Sequence, residues 1–220
     1  MIAPRRALLA AALCWIGFAV IVALVETGHG ARLDAAGLTV WRQSDRPGLP
    51  RGPAWLLEAA RDFTALGGPL LRNLFALAAV AALLFLRERR RAVLFALTVV
   101  LAWVVDAALK ALVGRARPAL VPHLMAAGGN SFPSGHSFNA AVVYIAMALV
   151  FAGFSSRAAV RRTVIGAALI LTLLVALTRV WLGVHWPSDA LGGWLGGAGW
   201  AFLAAAVLRP PARAIAEAAG

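Results

Sequence analysis

The sequence contains one cysteine, one tyrosine and, among its 21 basic residues, one lysine. A lone cysteine excludes an intrachain disulfide and a thiolate metal centre, and Cys14 lies in an apolar run where it is expected to pack as a small hydrophobe. Acidic residues are scarce too, nine in all, which leaves a formal charge of +12. In a soluble protein that excess would suggest nucleic acid. Here the arginines stand mainly in short clusters between apolar runs, with no basic face interleaved with aromatics, so no nucleic-acid partner is expected. Hydrophobic residues make up 62% of the chain, against about half in a soluble domain, so the class is an integral membrane protein. No polar stretch between the apolar runs is long enough for a soluble domain, and 1–220 reads as a single domain.

A membrane helix needs about 20 apolar residues. Six windows qualify: Ala7–Val25, Pro69–Leu86, Ala92–Leu112, Ser137–Phe154, Thr163–Leu182 and Ala190–Leu208. The expected fold is therefore all-α, a polytopic bundle of six transmembrane helices. The first window, with its basic start and no small-residue cleavage site after it, reads as a signal anchor that stays. If the six spans alternate, Arg5, Arg6, Arg87, the Arg89–Arg91 run, Arg157, Arg161, Arg162, Arg209 and Arg213 all fall on one side. Short basic loops mark the cytoplasmic face, which puts both termini there. On the opposite side lies a longer segment, Glu26–Gly68, of mixed charge. Within it "PAWLLEAARDFTALGG" reads as a short amphipathic helix, either lying in the membrane interface or packed on the top of the bundle.

Charged groups at the edge of membrane spans are costly, and they read as functional. Three groups of them fall on the outer side. In "DAALKALVGRARP", Lys110 is the lone lysine of a chain that otherwise uses arginine, which suggests a need for a compact ammonium. A lysine snorkelling to the interface is the plain alternative. Arg117 follows two helical turns later and would share its face if the helix continued, though Gly114 and Pro118 suggest that it ends between them. Asp106, four residues before Lys110, is placed to hold its ammonium or to contact another helix.

In "FPSGH", Ser134 is a good N-cap with Gly135 and His136 in the first helical turn. A helix N-terminus of that kind suits phosphate, and His136 adds a titratable donor beside it. In "TRVWLGVHWPSDA", Arg179 ends the fifth span and Pro187 opens the sixth helix, with His185 just before it and Asp189 in its first turn. A carboxylate there can accept the histidine Nδ1–H and leave Nε2 as a nucleophile, although Asp189 also complements the helix dipole. Three cations to hold an anion with several oxygens, one histidine to attack and one to protonate what leaves make a coherent set. No carboxylate cluster for magnesium and no Cys/His metal spacing accompanies them, so no metal and no cofactor is expected.

These three groups resemble the signature of the type 2 phosphatidic acid phosphatase (PAP2) superfamily, K-x6-R-P, P-S-G-H and S-R-x5-H-x3-D. "KALVGRARP" and "PSGH" match completely, and "TRVWLGVHWPSD" matches with Thr178 in place of the usual serine. The resemblance implies that His185 attacks phosphorus to form a phosphohistidine, that Asp189 orients it, and that His136 protonates the leaving oxygen and then activates water. It implies that Lys110, Arg117 and Arg179, with Ser134 and Gly135, bind the phosphoryl oxygens. Arg115 is expected to add a phosphate or headgroup contact, and His123 and Asn130 stand nearby in the loop.

A site at the membrane edge suits a lipid phosphate whose tail stays in the bilayer. Relatives of this kind act on phosphatidic acid, phosphatidylglycerol phosphate or polyprenyl diphosphates such as undecaprenyl diphosphate. A bacterial plasma-membrane enzyme with its site on the periplasmic face is the expected setting. A lipid phosphotransferase using the same intermediate is the alternative; a scrambler would require loss of a catalytic residue, and none is lost. Gly192/Gly196 and Gly193/Gly197 stand at small-xxx-small spacing in the sixth span, read as close packing inside the bundle rather than a dimer face. The oligomeric state is left open.

Overall fold

The computed structural model describes residues 3–46 and 48–207. Arg209, Arg213, the last residue of the sixth window and the C-terminus lie outside the described residues. No β-strand occurs among them beyond one isolated bridge, Arg42 to Pro50. Helices α1 (Pro4–Glu26), α2 (Ala31–Thr39), α3 (Ala54–Ala65), α4 (Pro69–Phe85), α5 (Arg89–Val113), α6 (Gly135–Ala140), α7 (Ala146–Ala152), α8 (Ala158–Trp181) and α9 (Pro187–Val207) follow in order. A π-helical turn, Ala141–Ile145, joins α6 to α7, so that 135–152 runs as one span.

Among the described residues five helical stretches are long and apolar enough to cross a membrane, and a sixth is reached if α3 and α4, bent by 46° from each other, form one broken span. Each observed helix starts a few residues before its expected window or at its edge, because polar residues such as Arg89–Arg91 extend the hydrogen-bond ladder past the apolar core. The outer segment holds two helices where one was expected. In α3, Leu56, Leu57 and Ala60 pack on Trp181, Leu182 and Val184, so this helix sits on the top of the bundle. Trp55 and Phe63 of the same helix are exposed. At the other end of the bundle Arg91 lies over the Phe154 ring, 4.7 Å from its centroid, tying the start of α5 to the end of α7.

The core runs between α5, the π turn, α8 and α9 through Phe95, Val99, Val143, Ile145, Leu149, Val175 and Phe202. The glycines of α9 decide how closely its neighbours approach. A Cβ on Gly193 would stand 2.6 Å from the Ser134 carbonyl oxygen, and one on Gly197 would overlap the Phe138 carbonyl. Gly192 faces Phe132 and Ile21, and Gly196 faces Phe138 and Phe18. Both small-residue pairs are thus spent inside the bundle, on α6 and α1, where dispersion in close backbone contact replaces side-chain filling.

Replacing Gly197 by alanine should force α9 off α6 and cost about 1–3 kcal/mol, the usual range for overpacking. Melting of the detergent-solubilised protein reads this as a lower midpoint; an unchanged midpoint would mean that the two helices do not meet there.

Candidate active site

Three segments converge at one end of the bundle: the end of α5 with the loop 114–134, the start of α6, and the turn between α8 and α9. Gly114 takes the left-handed conformation (φ 61°) and its N–H closes on the Lys110 carbonyl, which ends α5 at Val113. Arg117 therefore leaves the helix, and the shared helical face with Lys110 does not form. Its guanidinium folds back instead across the loop, with Nη2 donating to the Gly128 carbonyl at 2.7 Å and Nη1 to the Val184 carbonyl at 2.7 Å.

The same Nη1 lies 3.0 Å from His185 Nε2. An arginine has only donors, so Nε2 must be the accepting, unprotonated nitrogen, and the ring proton of neutral His185 sits on Nδ1. That nitrogen is 3.5 Å from Asp189 Oδ2 and 3.4 Å from the Ser131 hydroxyl. Asp189 is fully buried. Its Oδ2 accepts from Ser131 Oγ and from the Trp186 N–H (2.9 Å), and its Oδ1 accepts from Arg115 Nη1 (2.7 Å). Burial, with the added charge of Arg179, holds His185 down to about 4 despite Asp189, so its lone pair is available at neutral pH.

Ser134 caps α6, its hydroxyl accepting from the Ser137 N–H and Ser137 Oγ, and its own N–H donates to the Asp189 carbonyl at 3.0 Å. The Gly135 and His136 N–H groups that follow have no carbonyl one turn back to pair with. Lys110 donates to the Pro133 carbonyl, and its ammonium lies 3.8 Å from Asp106 Oδ1. Asp106 also accepts from Asn139 Nδ2 at 2.9 Å, so it meets both of its expected partners, lysine and neighbouring helix. A Cβ on Gly135 would touch Asp106 and Lys110, which is why only glycine lets the lysine lie along the α6 N-terminus. Arg179 donates to Thr64 Oγ1 at 2.9 Å and is nearly fully buried, while its Nε has no hydrogen-bond partner. His136 feels the charges of Arg179, His185, Arg72 and Arg117, and Lys110 those of Arg117, Arg179 and Asp189. These contacts and charges bring Lys110, Arg117, Ser134, His136, Arg179, His185 and Asp189 to one end of the bundle.

Arg115 departs from the expected phosphate contact. Its guanidinium is spent on a buried chain of partners, Nη2 on Asp34 (2.7 Å) and Nη1 on Asp189 and Ser188 (2.7 Å each). Asp34 in turn accepts from the Ser188 N–H and hydroxyl. The arginine therefore buttresses the carboxylate behind His185. His123 and Asn130 bond the Pro118 and Lys110 carbonyls, holding the loop rather than facing the pocket. The sequence does not single out Asp34, Ser131, Thr64 or Arg72. Asp34 and Thr64 carry no local signal, since α2 and α3 reach the site only through tertiary packing. Ser131 stands three residues before Ser134, and Arg72 is a charge inside an apolar window; both signals were present.

Among the described residues, no group of three or more His, Cys, Asp or Glu side chains is arranged to hold a metal ion.

Residues 91–211 match the profile of the PAP2 superfamily. The chain is 33% identical over 142 residues to phosphatidylglycerophosphatase B of Bacillus subtilis, a match covering 63% of this chain and 68% of that one. It is 35% identical over 120 residues to a lipid A 1-phosphatase of Rhizobium etli, covering 50% of this chain and 47% of that one. The crystal structure of a transmembrane PAP2 type phosphatidylglycerolphosphate phosphatase from Bacillus subtilis superposes with a TM-score of 0.78 at 27% identity. That match covers 96% of this chain and 97% of the other.

His185 is held near 4 in the folded protein and returns to about 6.5 when unfolded. Between those values the unfolded chain binds more protons, so folding stability should fall as the pH drops from about 6.5 towards 4. The melting midpoint of His185→Gln should decline less steeply over that range than the wild type's; parallel declines would show that His185 is not held neutral.

Proposed function

The chain belongs to the PAP2 superfamily and is a phosphatase, and from that premise we propose that it removes the terminal phosphate of a membrane lipid through a phosphohistidine on His185. The candidate substrates are phosphatidic acid, phosphatidylglycerol phosphate and undecaprenyl diphosphate. The relatives are named for lipid phosphates, which supports the lipid class. The observation that carries the mechanism is Arg117 Nη1 at 3.0 Å from His185 Nε2. It supports a lone pair on Nε2 facing a cation that can turn to a phosphoryl oxygen.

The reaction then follows from the residues. The phosphoryl group enters among Lys110, Arg117, Arg179 and the first N–H groups of α6, and Arg117 exchanges His185 Nε2 for a phosphoryl oxygen. Nε2 attacks phosphorus in line with the leaving oxygen, and His136 gives that oxygen a proton. Asp189, fixed by Arg115 and Ser131, holds the Nδ1–H and stabilises the charge on the ring. Water next attacks the phosphohistidine while His136 takes its proton, and free His185 returns. Positioning and cationic stabilisation supply most of the acceleration in phosphoryl transfer, and nitrogen cations fill that role here, so we assign a metal-independent mechanism. Arginines at the bundle end opposite the site support an extracytoplasmic pocket in a bacterial plasma membrane, with the N-terminus inside.

His185→Ala should lower phosphate release from a single purified lipid by at least about a thousandfold while leaving the fold intact; substantial residual turnover would refute the nucleophile assignment. Activity should be unchanged in EDTA, and a strict need for magnesium would refute the metal-free route. Free phosphate released with only one lipid present distinguishes hydrolysis from transfer to a second lipid.

A further inference from the structure

Arg72 is a charge for which the mechanism above has no use. It lies on the protein-facing stripe of α4, in line with Ala76, Ala79 and Leu83, and is 8% exposed. Such burial excludes an arginine that merely snorkels to water. Its Nε donates to the neighbouring Asn73 side chain at 3.2 Å, and its Nη1 reaches the Gly67 carbonyl only at 3.4 Å. Among the described residues no carboxylate lies within ion-pairing distance of it; the nearest in effect, Asp106, is already beside Lys110. A buried unpaired charge is strongly unfavourable. Its position makes this worse, because the first turn of a helix carries the positive end of the dipole and disfavours a cation. Arg42 also lacks a carboxylate, but it donates to the Trp181 carbonyl at the C-terminal end of α8, where a cation is favoured. Arg72 has only the long contact to the Gly67 carbonyl just past the end of α3, so its charge is under-satisfied and the local field favours an anion.

The surroundings say which side of the substrate that anion occupies. Arg72 braces the Gly67–Gly68 turn, and that turn lies on His136. A Cβ on Gly67 would stand 3.2 Å from His136 Cβ, and one on Gly68 would stand 3.7 Å from His136 Nε2. His136 Nε2 thus faces the N-terminal end of α4. Tyr144, on the π turn, donates to the Leu66 carbonyl at 2.7 Å and holds the same turn from below. From Tyr144 an apolar groove of about 560 Å³ runs between α7 and α8 past Met147, Phe151 and Leu171. His136, Arg72 and Tyr144 thus all meet the 66–68 turn, and the apolar groove begins at Tyr144.

We propose that Arg72 is a further substrate-binding residue, which pairs with a second phosphate on the leaving-group side of the scissile bond. This rests on His185 and His136 acting as described above, and it selects a substrate class. Lipids with two phosphates, a diphosphate or a phosphomonoester joined through glycerol to a phosphodiester, place an anion at Arg72. Phosphatidic acid places only ester oxygens there.

The test compares wild type, Arg72→Gln and Arg72→Lys in detergent on phosphatidic acid, phosphatidylglycerol phosphate and undecaprenyl diphosphate. Arg72→Gln should lower kcat/KM on a two-phosphate lipid at least about tenfold more than on phosphatidic acid, the size of one charge-assisted contact. Arg72→Lys, which keeps the charge, should restore part of that difference and serves as the folded control if the glutamine variant melts early. Loss on only one of the two-phosphate lipids supports the assignment and names the spacing that it reads. Equal loss on all three lipids, or no loss on any, overturns it. A binding measurement separates this from failure of the hydrolytic reading. In a thermal-shift titration without metal, inorganic pyrophosphate should stabilise the wild type at lower concentration than orthophosphate, and Arg72→Gln should abolish that preference. If wild type shows no preference, Arg72 binds no second phosphate whatever the lipid assays give. His185→Ala tests the hydrolytic reading alone and leaves the pyrophosphate preference in place.

Discussion

The buried carboxylate of Asp189 is the point through which the site is assembled. Its two oxygens face His185, Ser131, the Trp186 N–H and Arg115, and its own carbonyl takes the Ser134 N–H. The three motif segments are far apart in the chain, and this one residue joins all of them. A fully buried carboxylate is tolerable only if its lone pairs are satisfied. Satisfying them fixes the α8–α9 turn, the loop after α5 and the cap of α6 together. The glycines of α9 serve the same end, since Gly193 lets the α6 cap approach within reach of that turn.

The outer segment 26–68 acquires a role from the same network. Asp34 of α2 holds Arg115 and Ser188, Thr64 of α3 holds Arg179, Arg42 caps the end of α8, and the Gly67–Gly68 turn lies against His136. A Cβ on Gly37 would stand 2.6 Å from Pro187, so α2 rests directly on the first residue of α9. The segment is a collar that meets each catalytic element from outside. Asp34 gives a carboxylate and Thr64 a hydroxyl to buried cations of the site, whereas Asp45 and Glu58 pair with Arg46 and Arg61 at the exposed surface.

Much of this was legible in the sequence. The six apolar windows gave the helices, and local chemistry gave their ends: Ser134 caps α6, Gly114 stops α5 and Pro187 opens α9, as their residue types require. The residue types and motifs marked Lys110, Arg117, His136, Arg179, His185 and Asp189 as one group, and the fold brings them to the same end of the bundle. The departures all come from tertiary structure. Arg115 looked free for substrate because Asp34, its partner, is 81 positions away. Between the two readings open for Arg117 and Lys110, a shared helical face or a helix end between them, the left-handed Gly114 decides for the helix end. Helix α2 carries too short an apolar pattern to stand out, and packing on α9 stabilises it.

The 17 residues of α4 span about 26 Å at about 1.5 Å per residue, less than the roughly 30 Å of hydrocarbon in an ordinary bilayer. Its bend from α3 prevents the two helices from adding their lengths along one axis. A hydrophobic mismatch of that kind is relieved by thinning the bilayer, by snorkelling of flanking residues or by oligomerising. Thinning here would fall beside the helix whose first turn adjoins His136. Lipid headgroups at that flank would sink towards the pocket, so a phosphate would meet its cations by lateral diffusion rather than by being lifted out of the membrane.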